Sequence, residues 1–238
     1  MSGHSKWANI KRKKEANDKV KGTVFAKLSR NITLAVIEGG GMTSPDANFK
    51  LRLAIDKAKA ENMPKDNIQR AIEKGHGPGT AQLKEIIYEA FGPHGVAYMI
   101  KCTTDNSTRT HNEVRGVLEN RGGKMGSQGS VAYLFQKCAV MQFDLTNAPE
   151  DAVFAFAEAV HAYDIDEGEG TITVYFPFEE FGHSKEALGT LSPTIADIEY
   201  RGLSKVGVAS HEEAQKVIDL AEAIEDLGDV QHVYTNLE

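Results

Sequence analysis

Nine cations crowd the first thirty residues. Lys6, Lys11, Arg12, Lys13, Lys14, Lys19, Lys21, Lys27 and Arg30 stand against only Glu15 and Asp18, a net charge of +7, with Trp7 and Asn9 set among them. Ammonium and guanidinium groups at that density neutralise phosphates and release condensed counterions, and an exposed indole stacks on an unpaired base for about 1–3 kcal/mol. A solvated helix face with Trp7 packed on its own domain is the competing reading, and charge alone favours nucleic acid over it. Two further stretches offer backbone contacts. Asp105 to Thr110 brings N–H groups, hydroxyls and Arg109 to a helix start, where they would hold a phosphate or simply cap the helix. Gly122 to Ser130 combines four glycines with Lys124, which permits close backbone approach or makes a plain connector. Its GSQG lacks the helix pair that frames such a loop in a KH domain. Arg109 and Lys124 are therefore secondary contact candidates beside the amino-terminal set.

Catalytic patterns are missing. No GxxxxGK[ST], GxSxG, HExxH or paired CxxC occurs, and the eight histidines are scattered with no pair at metal-ligand spacing. Glu179-Glu180 and Asp164-Asp166-Glu167 read as solvated turns and helix starts rather than acid–base pairs. The sequence predicts no catalytic residue, no metal and no cofactor.

These cations belong to a chain with a marked polarity. Residues 1–75 hold 16 basic and 8 acidic side chains, residues 76–142 hold 7 and 5, and residues 143–238 hold 4 and 21, giving +8, +2 and −17. One end suits a polyanion while the other repels it, so the net −7 says little about partners. With 238 residues, 41% of them apolar and 26% charged, the chain is long enough for one to three folded domains and does not read as disordered. No apolar run approaches the ~20 residues of a membrane span, and the N-terminus lacks a signal-peptide h-region, so a cytoplasmic protein without membrane contact is expected. Cys102 and Cys138 read as core thiols in a reducing compartment.

The elements follow from periodicity. Residues 8–20 read as a basic helix, or as an arm that becomes helical on binding. Apolar residues recur at helical spacing over 22–38, where Gly39 to Gly41 stop them. A second helix is predicted from a Ser44 cap with Pro45 to about Glu61, and a third from Pro64 to Gly75. Gly75 to Thr80 reads as a linker. From Lys84 the period becomes two: strands at 87–91 and 96–102 flank a Pro-Gly turn, and a helix over 109–120 follows. VAYLF (131–135) then precedes a strand at 138–145, a helix at 149–162, strands at 163–166 and 171–176, a helix at 178–188 and a strand at 195–203. This β-α-β-β-α-β order is ferredoxin-like. A helix at 210–227 and a strand at 230–234 return to the sheet begun at 84. The predicted fold is a multidomain α+β protein: a basic helical bundle (1–78), a discontinuous α/β domain (79–135 plus 206–238), and an acidic ferredoxin-like domain (136–205) inserted in it.

The opening SGHSKWANIK (2–11) resembles the N-terminal signature of the YebC family. The likeness continues through PDAN (45–48), NMPKD (62–66), residues 86–95, Asp105-Asn106, Arg109-Thr110, GSVAYLF (129–135) and DVQHVY (229–234). Small departures occur: Arg12 stands where many members have His, Ser107-Thr108 replaces a commoner Arg-Asn, and Met42 to Ser44 lengthen a loop. The resemblance implies a three-domain, non-enzymatic protein. Bacterial members are generally labelled probable transcriptional regulators that bind DNA and have been linked to ribosomes stalled on proline-rich sequences, while mitochondrial relatives act as translational activators. Three functions stay open: a DNA-binding regulator, a translation factor on ribosomal RNA, and a protein-interaction module that docks a basic partner on its acidic domain.

Overall fold

The helical spacing of apolar residues after Lys21 builds a three-helix head in the computed structural model, which describes residues 21–77 and 83–238. Helix α1 (Lys21–Glu38) buries Leu28, Ile32, Ala35 and Val36 against Leu51, Ile55 and Ala58 of α2 (Phe49–Ala60) and Ile68, Ala71 and Ile72 of α3 (Lys65–His76). The cap of α2 differs from the Ser44 prediction. Ser44 to Ala47 form a turn, and Asn48 caps the helix by accepting from the Leu51 N–H at 3.1 Å. Its amide also donates to Ala35 O at 2.9 Å and Met42 O at 3.1 Å, so one buried side chain starts α2 and closes α1, a reach Ser44 lacks. Gly75 is likewise no linker residue: it lies buried inside α3, where a Cβ would sit 2.5 Å from Val36 Cβ. The predicted helix or arm over 8–20 and the remaining linker residues 78–80 lie outside the described residues.

Strand alternation then produces two four-stranded antiparallel sheets. The first has the order β3-β1-β2-β8, from β1 (Lys84–Phe91), β2 (Ala97–Thr104), β3 (Lys124–Met125) and β8 (Val230–Thr235). The expected hairpin is present, with Lys84 paired to Thr104 and Phe91 to Ala97. Helices α4 (Ser107–Asn120) and α7 (His211–Glu225) cover one face, packing Val114, Leu118, Val217, Ile218 and Ala221 on Tyr98, Ile100 and Cys102. Asn106 and Ser210 cap these two helices.

Between α4 and α7 the chain builds β4 (Phe135–Asp144), α5 (Glu150–Ala159), β5 (Asp164–Gly168), β6 (Thr171–Pro177), α6 (Ser184–Leu188) and β7 (Ile195–Gly202). The sheet order β5-β6-β4-β7 places the unit's first strand between its third and fourth, the ferredoxin-like arrangement. Phe143, Phe156, Phe176 and Phe181 form its aromatic core, with consecutive ring centroids 5.3, 5.8 and 6.1 Å apart. Two local predictions change: residues 132–134 of VAYLF form a single helical turn leading straight into β4, and the 178–188 helix is a tight turn (178–182) followed by α6. The chain enters this unit at Phe135 and leaves at Gly202, and the Leu203 N–H donates to Leu134 O at 2.8 Å, so both crossings share one neck. Both cysteines are buried, and burial pushes the Cys102 thiol up to about 12 and the Cys138 thiol up to about 11.

Candidate nucleic-acid interface

Of the predicted amino-terminal set, Lys6, Trp7, Asn9, Lys11, Arg12, Lys13, Lys14 and Lys19 lie outside the described residues, as does the side chain of Lys21. Lys27 and Arg30 are described, one turn apart on α1. The Lys27 ammonium donates to the Glu225 carbonyl at the end of α7, and the Arg30 guanidinium donates to the Gly228 carbonyl and lies 3.3 Å from Asp229 Oδ1. The free cations predicted at these two positions are therefore engaged within the protein, docking the head onto the first sheet's domain.

Asp229 is the hub of that junction. It is buried, and its Oδ2 accepts from Arg109 at 2.6 Å, Thr110 at 2.7 Å and Thr104 at 3.0 Å. Burial works to raise its pKa; the hydrogen bonds from Arg109, Thr110 and Thr104 and the charge of Arg30 outweigh it and hold the carboxyl below the usual range. Arg109 also donates to Asp105 at 2.9 Å. The cavity of about 310 Å³ beside this junction meets Arg30 and Arg109 but also Asp105, Glu113 and Asp229, a surplus of carboxylates that disfavours phosphate. Of the two readings of the 105–110 stretch, helix capping is the one observed, with Asn106 accepting from the Arg109 N–H at 3.1 Å. Lys124 remains exposed, its ammonium 5.7 Å from the centroid of the Phe91 ring. On the head, Arg70 and Lys74 are exposed one turn apart on α3, and Arg70 donates to Asp66 O at 3.1 Å and Asn67 Oδ1 at 2.6 Å.

The glycine loop after α4 is anchored by a residue that pattern reading passes over. Glu89, buried in β1, accepts from the N–H groups of Gly129 at 2.6 Å, Val131 at 2.7 Å and Ala132 at 2.8 Å. Its burial raises the pKa, and the three backbone bonds more than reverse that and lower it. The only signal in the sequence was an acid inside an otherwise apolar strand run. Glu89→Gln, which exchanges the carboxylate for an amide with a single acceptor oxygen, is expected to lower stability by about 1–3 kcal/mol. It is also expected to accelerate hydrogen exchange at Val131 and Ala132; unchanged protection there would mean the carboxylate does not hold the loop.

The three parts of the molecule meet at a cleft of about 680 Å³ lined by α2, β7 and β8. There Lys57 Nζ lies 2.6 Å from Asp197 Oδ2 and 3.2 Å from His232 Nε2, bracing the head against the inserted unit. Among the described residues no cluster of His, Cys, Asp and Glu is arranged to hold a metal ion, and no helix is long and apolar enough to cross a membrane.

Residues 5–78 match the family profile described as the TACO1/YebC protein N-terminal domain, and residues 83–237 match the TACO1/YebC second and third domain. A probable transcriptional regulatory protein of Borrelia hermsii is 45% identical over 240 residues, spanning 100% of this chain and 98% of the relative. One of Caldanaerobacter subterraneus is 42% identical over 242 residues, with the same coverage of 100% and 98%. The crystal structure of a conserved hypothetical protein from Aquifex aeolicus superposes with a TM-score of 0.88 at 40% identity, covering 98% of this chain and 97% of that one.

Proposed function

The chain belongs to the TACO1/YebC family, and from that premise we propose that it is a non-enzymatic, cytoplasmic regulator of gene expression that grips nucleic acid through its amino-terminal arm and helical head. The charge segregation carries this reading: +8 over residues 1–75 against −17 over residues 143–238 orients a polyanion toward one end of the molecule. The relatives are named probable transcriptional regulatory proteins, and a role in transcription would set the arm on DNA. A second reading, ribosomal RNA, is favoured by the composition of the arm. Five of its six cations between Lys6 and Lys19 are lysines, which settle on phosphates and read base edges poorly, and ribosomal RNA is recognised largely by shape and backbone. Cosedimentation with ribosomes and binding to purified promoter fragments, both between 50 and 200 mM salt, separate the two. Tight binding to one of them, weakening steeply as salt rises, is expected. Binding to neither would overturn the reading and leave the acidic domain's docking of a basic partner as the surviving function.

A further inference from the structure

Tyr133 is the most exposed large apolar side chain among the described residues, at 71%, and Leu203 is next at 63%. Both sit at the neck, on segments joined by the Leu203 N–H to Leu134 O bond. Tyr133 lies in the helical turn 132–134, outside every core cluster, and its neighbours Val131 and Ala132 are pinned by the buried Glu89 carboxylate. The ring is thus held out on a backbone that is fixed beneath it. Holding a platform rigid in advance lowers the ordering cost of binding, and a tyrosine loses little rotamer freedom when it is contacted.

The surroundings select the ligand. Residues 120–143 contain no acid and three cations, Arg121, Lys124 and Lys137. Residues 200–211, within the most acidic third of the chain, also contain no acid and carry Lys205, together with Arg201, whose guanidinium is paired with Asp164. Lys124, Lys137 and Lys205 are all exposed, and Lys137 lies four residues along from Tyr133, at most ~14 Å even if fully extended. An exposed aromatic face on a segment without acids, with exposed lysines on that segment and on the one bonded to it, is the pattern that takes an unpaired base on the ring and its phosphates on the cations. We propose that Tyr133 is a stacking platform for an unpaired base of a bound single-stranded nucleic acid, with Lys124, Lys137 and Lys205 contacting the flanking phosphates. This rests on the nucleic-acid reading above and adds a second contact point, remote in sequence from the arm.

The test is equilibrium binding of the full chain to a short fluorescein-labelled oligoribonucleotide, its deoxy counterpart and a duplex of the same sequence. Tyr133→Ala is expected to weaken binding to the single strands by about 5- to 100-fold, with duplex affinity and salt slope unchanged, while Tyr133→Phe keeps parental affinity. Replacing Lys124, Lys137 and Lys205 with alanine is expected to reduce the single-strand salt slope by about 2. Because Tyr133 is outside the core, an unchanged melting temperature accompanies the loss. If the parent binds and Tyr133→Ala binds equally, or loses duplex and single strand alike, the platform is overturned and the arm reading stands. If the parent binds none of the three probes, the nucleic-acid reading falls and takes the platform with it.

Discussion

Replacing Lys11, Arg12, Lys13 and Lys14 together with alanine is expected to lower the slope of log K against log salt by about 3 to 4, at about 0.7 to 0.9 per phosphate contact. A fourfold rise in salt would then cost the parent about 60- to 250-fold more affinity than it costs the variant. The size of this effect follows from where the other cations of the head are. Lys27 and Arg30 are held by Glu225, Gly228 and Asp229, and Arg109 is shared between Asp105 and Asp229. With those three engaged, the cluster at 11–14 is the densest run of cations left to grip a polyanion. Titrations of the two proteins at several salt concentrations give the slopes directly, and equal slopes would remove the arm from the interface.

Asp229→Ala is expected to lower the free energy of unfolding by about 3 kcal/mol, the range for removing a buried carboxylate that accepts charged hydrogen bonds. The change takes a shared acceptor from the buried hydroxyls of Thr104 and Thr110 and strips Arg30 and Arg109 of their common partner. Denaturant melts measure the loss, and a cycle with Arg30→Ala locates it: the second change is expected to cost less in the Asp229→Ala background than in the parent. The pH dependence has a definite sign. A carboxyl whose folded pKa lies below its unfolded value contributes stability that is present above the ordinary value near 4, and loses it as pH falls through the lower folded value. The gap between parent and variant should therefore be full at neutral pH and narrow below about pH 4. A gap that stayed constant into acid would show that the Asp229 charge plays no part.

The elements themselves were legible wherever local pattern decides structure. The helix predicted over 109–120 spans 107–120, the strand predicted at 230–234 spans 230–235, and the β-α-β-β-α-β order of the inserted unit is the observed one. What pattern missed is what depends on distant partners. Arg30 and Asp229 are nearly two hundred residues apart, so nothing near Arg30 in sequence signals that its charge is engaged. Glu89 differs from a solvent-facing strand acid only because a loop forty residues later turns its amides inward. Asn48 outcompetes Ser44 as a cap because it also reaches the Ala35 carbonyl in the last turn of α1 and the Met42 carbonyl in the loop beyond it. In each case the deciding term is a hydrogen bond to a group that periodicity cannot see.

The shared neck at Leu134 and Leu203 makes the acidic lobe a module on a single stem. None of the first sheet's ladder passes through residues 135–202, and residues 136–205 carry 13 acidic side chains against 4 basic ones. Splicing the two stem ends together would excise a net charge of −9 and leave the rest of the chain at +2, without unzipping a strand of the remaining sheet. A lobe attached in that way can be exchanged for another during descent, retuning what the protein repels while the arm's cations are retained and only Lys137 and Lys205 of the proposed contacts change with it.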